Sequence, residues 1–310
     1  MPNTTSSVPP PKPGLWCLAR DAAAAGQRAA KSSLSSEVAG EVHPMAGHIG
    51  STHLPIDVIA HQAVERFVYA TYPGHVQVIG EETRRSMWTP VGGLVVTVDP
   101  VDGTGPAVDL GFGWSTVVLV HRLARPSSGG RTTWRLVGAA IADSSDHVIS
   151  YVRPGIVVMS TVHDSACRRV RVRPSRSSGA VAAVGAKHSA RTAWTAMASG
   201  FNETGYNLGG TPTAWGLVVG RLAASIVATP STLWDAAHVL LGSQAGGAVM
   251  SLESGLAVPA STVLEWFSTP QFEDGLGGGW IEPCVVAADN DAAVSARSAY
   301  ARAETTVVSA

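Results

Sequence analysis

The stretch VTVDPVDGTG, residues 96 to 105, places two carboxylates where an apolar strand ends. Asp99 and Asp102 lie three positions apart, and Pro100 between them fixes one backbone angle. A turn of this kind aims both carboxylates at one point while Val101 points away. Two converging carboxylates bind a cation, although a DxxDG sequence taken alone is more often an ordinary turn.

The residues directly after the second aspartate suit an anion. Gly103 adopts backbone angles that other residues avoid, and Gly103 and Thr104 begin the next segment with exposed backbone N–H groups. Such groups form a nest for an oxyanion such as phosphate. The sequence therefore predicts a cation site and an anion site side by side.

Further carboxylates follow other apolar runs. Glu81 and Glu82 come at the end of VIGEE, and Asp235 lies in TLWDAAHVLLGSQAGG, where we expect it in the first turn of a helix. Their oxygens are ligands for hard ions such as Mg²⁺. Thr232 and Asp235 also fit an ordinary helix capping box, which is the structural alternative for this segment.

Four carboxylates in one pocket would repel a phosphate dianion, so its binding requires two or three divalent cations that invert the local charge. Two ions about 3.5 to 4 Å apart lower the pKa of an attacking water and stabilise a leaving alkoxide.

The motifs GEE, DPVDGT and WDAA, in that order and with a late AGG, resemble the inositol monophosphatase superfamily of metal-dependent phosphatases. The resemblance covers roughly residues 55–120 and 205–300. It implies a layered αβαβα sandwich, an α/β fold with an N-terminal antiparallel sheet. It also implies magnesium-dependent hydrolysis of a small phosphate monoester of a sugar, a cyclitol or a nucleotide. The same resemblance implies a homodimer that is sensitive to lithium.

The resemblance also assigns roles residue by residue. The implied metal ligands are Glu81, Asp99, the Val101 carbonyl, Asp102 and Asp235. The N–H groups of Gly103 and Thr104 would hold the phosphate, and the Thr104 hydroxyl would orient the attacking water. The expected catalytic residues are Glu81, His61, Asp102 and Thr104.

His61 is a departure from the family pattern. Alignment of the helix at 57–72 puts it where an aspartate usually lies near the water-activating threonine. It would act there as a base with a pKa near 6.5, or it simply packs beside Val64 and Val68.

The substrate side departs as well. Ala228 stands where a glutamate commonly binds sugar hydroxyls, which disfavours inositol phosphate as substrate, and Gln244 replaces the acid usual before AGG. We expect Gly210 and Thr211 on the substrate-side loop, with Ala228 and Asp235 completing the substrate contacts.

The elements that must position these residues fall into two parts. Helices are predicted at 14–38 and 57–72, followed from residue 93 by consecutive strands of an antiparallel sheet. After PSRSSG, at 174–179, strands and helices alternate. We therefore predict a leader at 1–13, an α+β domain at 14–175 with most metal ligands, and an α/β domain at 176–310 carrying Asp235.

Composition narrows the class of protein. Lys and Arg number 22 against 23 Asp and Glu, so a net charge of -1 provides no field for a nucleic acid polymer or a membrane. The cysteines, Cys17, Cys167 and Cys284, are far apart and suit reduced thiols in a cytoplasm. Abundant Ala, Gly and Val suggest a bacterial source.

Weaker candidates remain. The histidines of HPMAGHIGSTH at 43–53 would bind a metal or a substrate phosphate, or they are solvated loop residues. The cluster of Lys187, His188 and Arg191 would touch an anionic substrate group, while RRVRVR at 168–173 either binds nucleotide phosphates or guards an edge strand.

Two rival functions also remain. One is non-hydrolytic chemistry on the same scaffold, which is permitted by His61 and by a changed loop after Thr104, where DGTGPAV lacks the Thr-Asn-Phe often found in the family. The other is metal binding without turnover.

Overall fold

The computed structural model describes residues 14–35, 55–80, 90–104, 107–108, 111–124, 133–172, 180–184, 205–207, 213–268 and 281–308. The first half of the chain builds a seven-stranded sheet whose strands neighbour one another in sequence order. These strands are β1 (Val76–Gly80), β2 (Leu94–Asp102), β3 (Ser115–Ala124), β4 (Thr133–Asp143), β5 (His147–Arg153), β6 (Ile156–Thr161) and β7 (Arg168–Val170). All neighbours pair antiparallel except β1 and β2, which are parallel.

The second half builds a five-stranded sheet in the order β11-β12-β10-β8-β9. Its strands are β8 (Ala180–Val184), β9 (Gly205–Asn207), β10 (Leu222–Val227), β11 (Ala248–Ser251) and β12 (Cys284–Ala287). Strand β10 occupies the centre, parallel to β8 and antiparallel to β12.

Helices separate and cover the two sheets. They are α1 (Leu15–Leu34), α2 (Pro55–Thr71), α3 (Thr213–Val219), α4 (Ala237–Gln244), α5 (Ala260–Ser268) and α6 (Asn290–Val308). Helices α1 and α2 cover one face of the first sheet. The core on its other face includes residues of α3, α4 and α5, and α6 packs on the second sheet.

The alternation of side chains along the first sheet feeds two separate cores. Val118 and Val120 of β3 pack in the core that includes α1 and α2, whereas Val117 and Leu119 pack in the core that includes α3, α4 and α5. A strand buried on both faces has no polar side to expose, which explains why STVVLV contains so few polar residues. The first sheet is therefore the middle layer to which both sets of helices attach.

The layered α/β fold expected from the sequence is confirmed. The predicted antiparallel sheet is present, with β1 as its one parallel member, and the expected helices at 14–38 and 57–72 are α1 and α2. The sequence reading missed α5, which starts directly after a loop. The linker at 174–179 and the leader at 1–13 lie outside the described residues, so the domain boundaries stay predictions.

Strand β7 forms an edge of the first sheet, and Arg168 and Arg169 on it are exposed. The Arg169 guanidinium donates to the Gly155 carbonyl at 3.0 Å. These contacts favour the interpretation of RRVRVR as a charged guard on an edge strand. In the part of the chain that the structure covers, we find no helix with the length and apolar character needed to cross a membrane.

A buried amide ties the first sheet to the helices behind it. The Gln244 amide nitrogen donates to the Ala260 carbonyl at 2.8 Å, and its oxygen accepts from the Gly155 amide at 3.0 Å. Gly155 lies in the β5–β6 turn, and Ala260 begins α5. An amide donates and accepts at once, which a carboxylate cannot do, so these contacts explain why Gln replaces an acid at this position.

A second buried hydrogen bond joins the first sheet to α5. The His121 ring on β3 contacts the Phe267 carbonyl of α5, with 2.8 Å between Nε2 and the oxygen. Complete burial lowers the pKa of His121 to about 4, so the ring is neutral near pH 7 and Nε2 carries the donated proton.

We predict that Gln244→Glu destabilises the fold by about 1–3 kcal/mol at pH 7, because a carboxylate would face the Ala260 carbonyl without a proton to donate. Part of this loss should be recovered as the pH falls and the new acid is protonated. Urea unfolding at pH 7 and pH 5 measures both effects. Gln62→Glu, on the exposed face of α2, is the matched control. Equal stability of the two variants would contradict the stabilising role of the Gln244 hydrogen bonds.

Candidate functional site

The two aspartates of β2 flank a β-bulge. Asp99 pairs with Val117 and Asp102 with Ser115, so β2 advances three residues while β3 advances two. In a regular strand, residues three apart point to opposite faces, and one extra residue cancels that offset. The bulge contains Pro100, which has no N–H for the sheet ladder.

The bulge therefore brings both carboxylates to one face of the sheet. Ser115 and Val117 are two apart on β3, so they share a face, and their partners Asp102 and Asp99 share it too. Val117 belongs to the core that also contains Trp234. Asp99 and Asp102 accordingly point toward the layer that carries Asp235.

Val101 points the other way, as the sequence predicted. It packs in a small core, defined by residues of α1, α2 and the loop before β3, together with Ile56, Ala60 and the fully buried Trp114. The Thr116 hydroxyl donates to the Pro100 carbonyl at 2.7 Å, and the Val101 amide donates to Asp99 Oδ1 at 3.1 Å. The packing of Val101 and these two hydrogen bonds therefore hold the bulge in place.

Gly103 is required by the turn that follows. Its φ is +90°, a region that L side chains rarely adopt, and a Cβ there would lie 2.8 Å from the Gly113 carbonyl oxygen. The Ala107 amide donates to the Gly103 carbonyl at 3.0 Å, so a helical turn begins at Thr104. The start of such a turn presents backbone N–H groups.

The Thr104 hydroxyl lies between two acceptors. Its oxygen is 2.8 Å from the Val101 carbonyl and 3.2 Å from Asp57 Oδ1. Asp57 is in the first turn of α2 and is buried. A hydroxyl has one proton, so it donates to one acceptor at a time, and the carboxylate is the more basic of the two.

This contact bears on the expectation for His61. A carboxylate that lies beside Thr104 comes from Asp57, four residues earlier on α2. Residues four apart share a helix face, so Asp57 and His61 lie on the same side of α2, and the role of His61 stays a prediction. His61 itself is buried on α2, and its Nε2 is 3.6 Å from Glu65 Oε1. Asp57 is a further candidate site residue, which the sequence analysis did not name.

Asp235 lies in a turn rather than in the first turn of a helix. The turn spans 233–236, and α4 begins at Ala237. Leu233 and Trp234 before it are buried in the core between the sheets. The Asp235 amide is 3.4 Å from the Thr232 hydroxyl oxygen, which is the first half of the capping box considered above. The carboxylate is half-buried.

The other predicted residues divide into two groups. Ala228 follows β10 and packs, half-buried, against the core beneath α6. Glu81, Gly210 and Thr211 lie outside the described residues, as do the histidines of 43–53 and the Lys187 cluster. Their roles stay predictions.

The oxygen donors of β2 and of the Asp235 turn fit a hard divalent ion. Asp99, Asp102, Asp235 and the Val101 carbonyl offer oxygen only, which suits Mg²⁺ and not zinc or copper. Asp99 is 4% exposed, and a carboxylate so buried needs donors or a cation for compensation. Within the described ranges, however, no group of three or more Asp, Glu, His or Cys side chains is placed to hold a metal ion. The full ligand set, with Glu81, stays a prediction.

Comparison with known proteins bears on the fold. No protein-family model matches the chain, and no curated protein matches it in sequence. Among solved structures, the extragenic suppressor protein SuhB of Bartonella henselae is similar with a TM-score of 0.61 and 16% identity, over 92% of this chain and 97% of that one. The IMPase of Thermotoga maritima gives 0.56 and 13% identity, over 93% and 96%.

A third similar structure is an IMPase/NADP phosphatase complexed with Mg²⁺ and phosphate. Its TM-score is 0.50 at 16% identity, and the match covers 83% of this chain and 85% of that one. The layered sheets and the near-complete coverage show the fold: the chain folds like these inositol monophosphatase structures, at a large distance in sequence.

We predict that Gly103→Ala destabilises the protein more than Gly92→Ala does. Both glycines have positive φ, +90° and +87°, but only a Cβ at Gly103 meets backbone within 4 Å. Backbone strain alone costs about 1–2 kcal/mol per residue, and the clash with the Gly113 carbonyl adds to it. Thermal unfolding of the two variants measures the difference. Equal losses of stability would contradict the predicted clash between a Cβ at position 103 and the Gly113 carbonyl.

Proposed function

We propose that this protein is a magnesium-dependent phosphatase that hydrolyses a small phosphate monoester of a sugar, a cyclitol or a nucleotide. The observation that carries the proposal is the bulge in β2, which turns Asp99 and Asp102 toward the layer of Asp235. The DPVDGT and WDAA motifs thus belong to facing elements. A neighbour in structure, the IMPase/NADP phosphatase, was solved with Mg²⁺ and phosphate, which supports the same ligand class here.

The metal would be held by Asp99, Asp102, Asp235 and the Val101 carbonyl, together with Glu81. Bound Mg²⁺ supplies charge neutralisation and an activated water. The phosphate would then meet the N–H groups at Gly103 and Thr104, where a positive φ and the start of a helical turn expose donors. We propose two or three ions, as the number of carboxylates requires.

The Thr104 and Asp57 pair supports water activation by the chain itself. If Thr104 donates its hydrogen bond to Asp57, the lone pairs of the hydroxyl oxygen are left to accept a hydrogen bond from water. A proton that leaves the water would then pass to Thr104 as the Thr104 proton passes to Asp57. Asp57 would then hold the hydroxyl in the orientation that positions the nucleophile. Proton transfer at a positioned group of this kind contributes about 10²–10⁴-fold to a rate.

Ala228 supports a substrate other than inositol monophosphate. Its methyl group, half-buried at the end of β10, offers no acceptor to a substrate hydroxyl. A buried hydroxyl without a partner costs about 1–3 kcal/mol. We propose a substrate from specialised biosynthesis, acted on by a cytoplasmic homodimer of bacterial origin. Rapid turnover of inositol 1-phosphate would count against this choice.

Two rival functions are separable by experiment. Non-hydrolytic chemistry on this scaffold was suggested by His61 and by the altered loop after Thr104. The contact of Asp57 with Thr104 favours hydrolysis over this rival, while the altered loop still permits the rival. Product analysis distinguishes this rival from hydrolysis. Metal binding without turnover would leave the Thr104 and Asp57 pair with no chemical use.

We predict that Asp57→Asn and Thr104→Val each lower kcat by about 10²–10⁴-fold with little change in KM, because both remove the proton path and leave the phosphate contacts. Initial rates at saturating Mg²⁺ give both constants. Asp291→Asn is the matched control, since it also removes a carboxylate from the first turn of a helix, α6. A large loss in the control, or none in the two variants, would contradict the assigned roles.

The proposed function is tested by a phosphate-release screen across sugar, cyclitol and nucleotide monophosphates, with Mg²⁺ and with EDTA. We expect release from at least one class in Mg²⁺ alone. Asp99→Asn and Asp235→Asn should abolish it, because each removes a charge that holds a cation. Release that survives EDTA, or that survives both substitutions, would refute a metal-dependent phosphatase.

A further inference from the structure

A buried histidine connects Asp235 to the centre of the second sheet. His238, on the first turn of α4, has no exposed surface. Its Nδ1 lies 3.2 Å from the Asp235 carbonyl oxygen, and its Nε2 lies 3.4 Å from the Ser225 hydroxyl oxygen. The ring therefore spans from the turn of a proposed metal ligand to a strand.

The contacts fix the proton on the ring. A carbonyl oxygen only accepts, so Nδ1 must carry the hydrogen that is donated to Asp235. Nε2 then accepts from the Ser225 hydroxyl. Burial lowers the pKa of His238 to about 4, which agrees with a neutral ring.

The start of α4 creates the need for this donor. In a continuous α-helix the Val239 amide would bond the Asp235 carbonyl, but here it bonds Ala236 at 2.8 Å. The tighter turn moves that donor one residue along, and the imidazole donates to the Asp235 carbonyl. The His238 side chain thus replaces a helix hydrogen bond at Asp235, the proposed metal ligand.

Ser225, the partner of His238 Nε2, lies on a strand that is paired on both sides. It is fully buried on β10, the central strand of five, and it is paired with Val286 on one side and Ala182 on the other. Neighbours on both sides restrain its backbone more than an edge position would. The Asp235 turn is consequently tied to the central strand of its sheet.

We propose that His238 is a positioning residue for metal binding, which holds the main chain of Asp235 against Ser225 so that the carboxylate is preset for a divalent ion. This inference rests on the proposed function, since it needs Asp235 to be a metal ligand. Groups that hold a ligand in place typically change metal affinity by about 10–100-fold when removed.

The test is a titration of the metal-free, full-length protein with Mn²⁺, following the free ion by electron paramagnetic resonance, with urea unfolding of the same samples. The matched control is His121→Leu. His121 is also fully buried and bonded to a carbonyl, but it lies six residues along β3 from Ser115, about 20 Å from the Asp102 end. It therefore measures the effect of losing a buried histidine as such.

We expect His238→Leu to weaken Mn²⁺ binding by about tenfold or more, and His121→Leu to leave it within about twofold at a similar loss of stability. His238→Asn keeps an amide N–H near the Nδ1 position and should recover part of the affinity. Ser225→Ala, the milder change, should give an intermediate loss and serves if His238→Leu does not fold.

The outcomes are distinguishable. Wild-type affinity in His238→Leu and Ser225→Ala, or an equal loss in His121→Leu, would overturn the positioning role and leave the proposed function intact. Absence of Mn²⁺ binding by the wild-type protein at millimolar concentration would overturn the proposed function and this inference together.

Discussion

One extra residue in a strand is the constraint on which the site depends. Without the bulge at Pro100, Asp99 and Asp102 would project from opposite faces of the first sheet, one toward α1 and α2 and one toward α4. The bulge sends both toward α4 and leaves Val101 to pack beneath them. Proline suits the position because it has no amide to lose from the ladder. The chemistry of the site thus begins with an interruption in the hydrogen bonding of β2.

Acidic groups brought to one face repel one another, so the scaffold that presents them has to be stable without their help. Neutral buried polar side chains provide part of that stability across the layers. Gln244 joins the β5–β6 turn to α5, and His121 joins β3 to α5. His238 joins the Asp235 turn to β10. Each is a neutral donor, and Gln244 and His238 also accept, so none adds charge near the acids.

The sequence predicted much of this arrangement because the relevant signals were local. Alternating β-branched residues located the strands, and a proline between two aspartates indicated that both acids would face one way. The contact of Asp57 with Thr104 could not be predicted, since Asp57 and His61 lie one turn apart and share a face of the same helix. The roles of Gln244 and His238 depend on Gly155, Ala260 and Ser225, which are distant in sequence, so only the folded chain reveals them.

The most direct measurement is a crystal structure of the protein soaked in Mn²⁺, with anomalous differences used to locate the ions. The account predicts peaks within about 2.4 Å of carboxylate oxygens of Asp99, Asp102 and Asp235, the distance expected for oxygen ligands of a hard divalent ion. Peaks remote from these aspartates, or an Asp235 carboxylate turned away from an ion bound at Asp99 and Asp102, would contradict it.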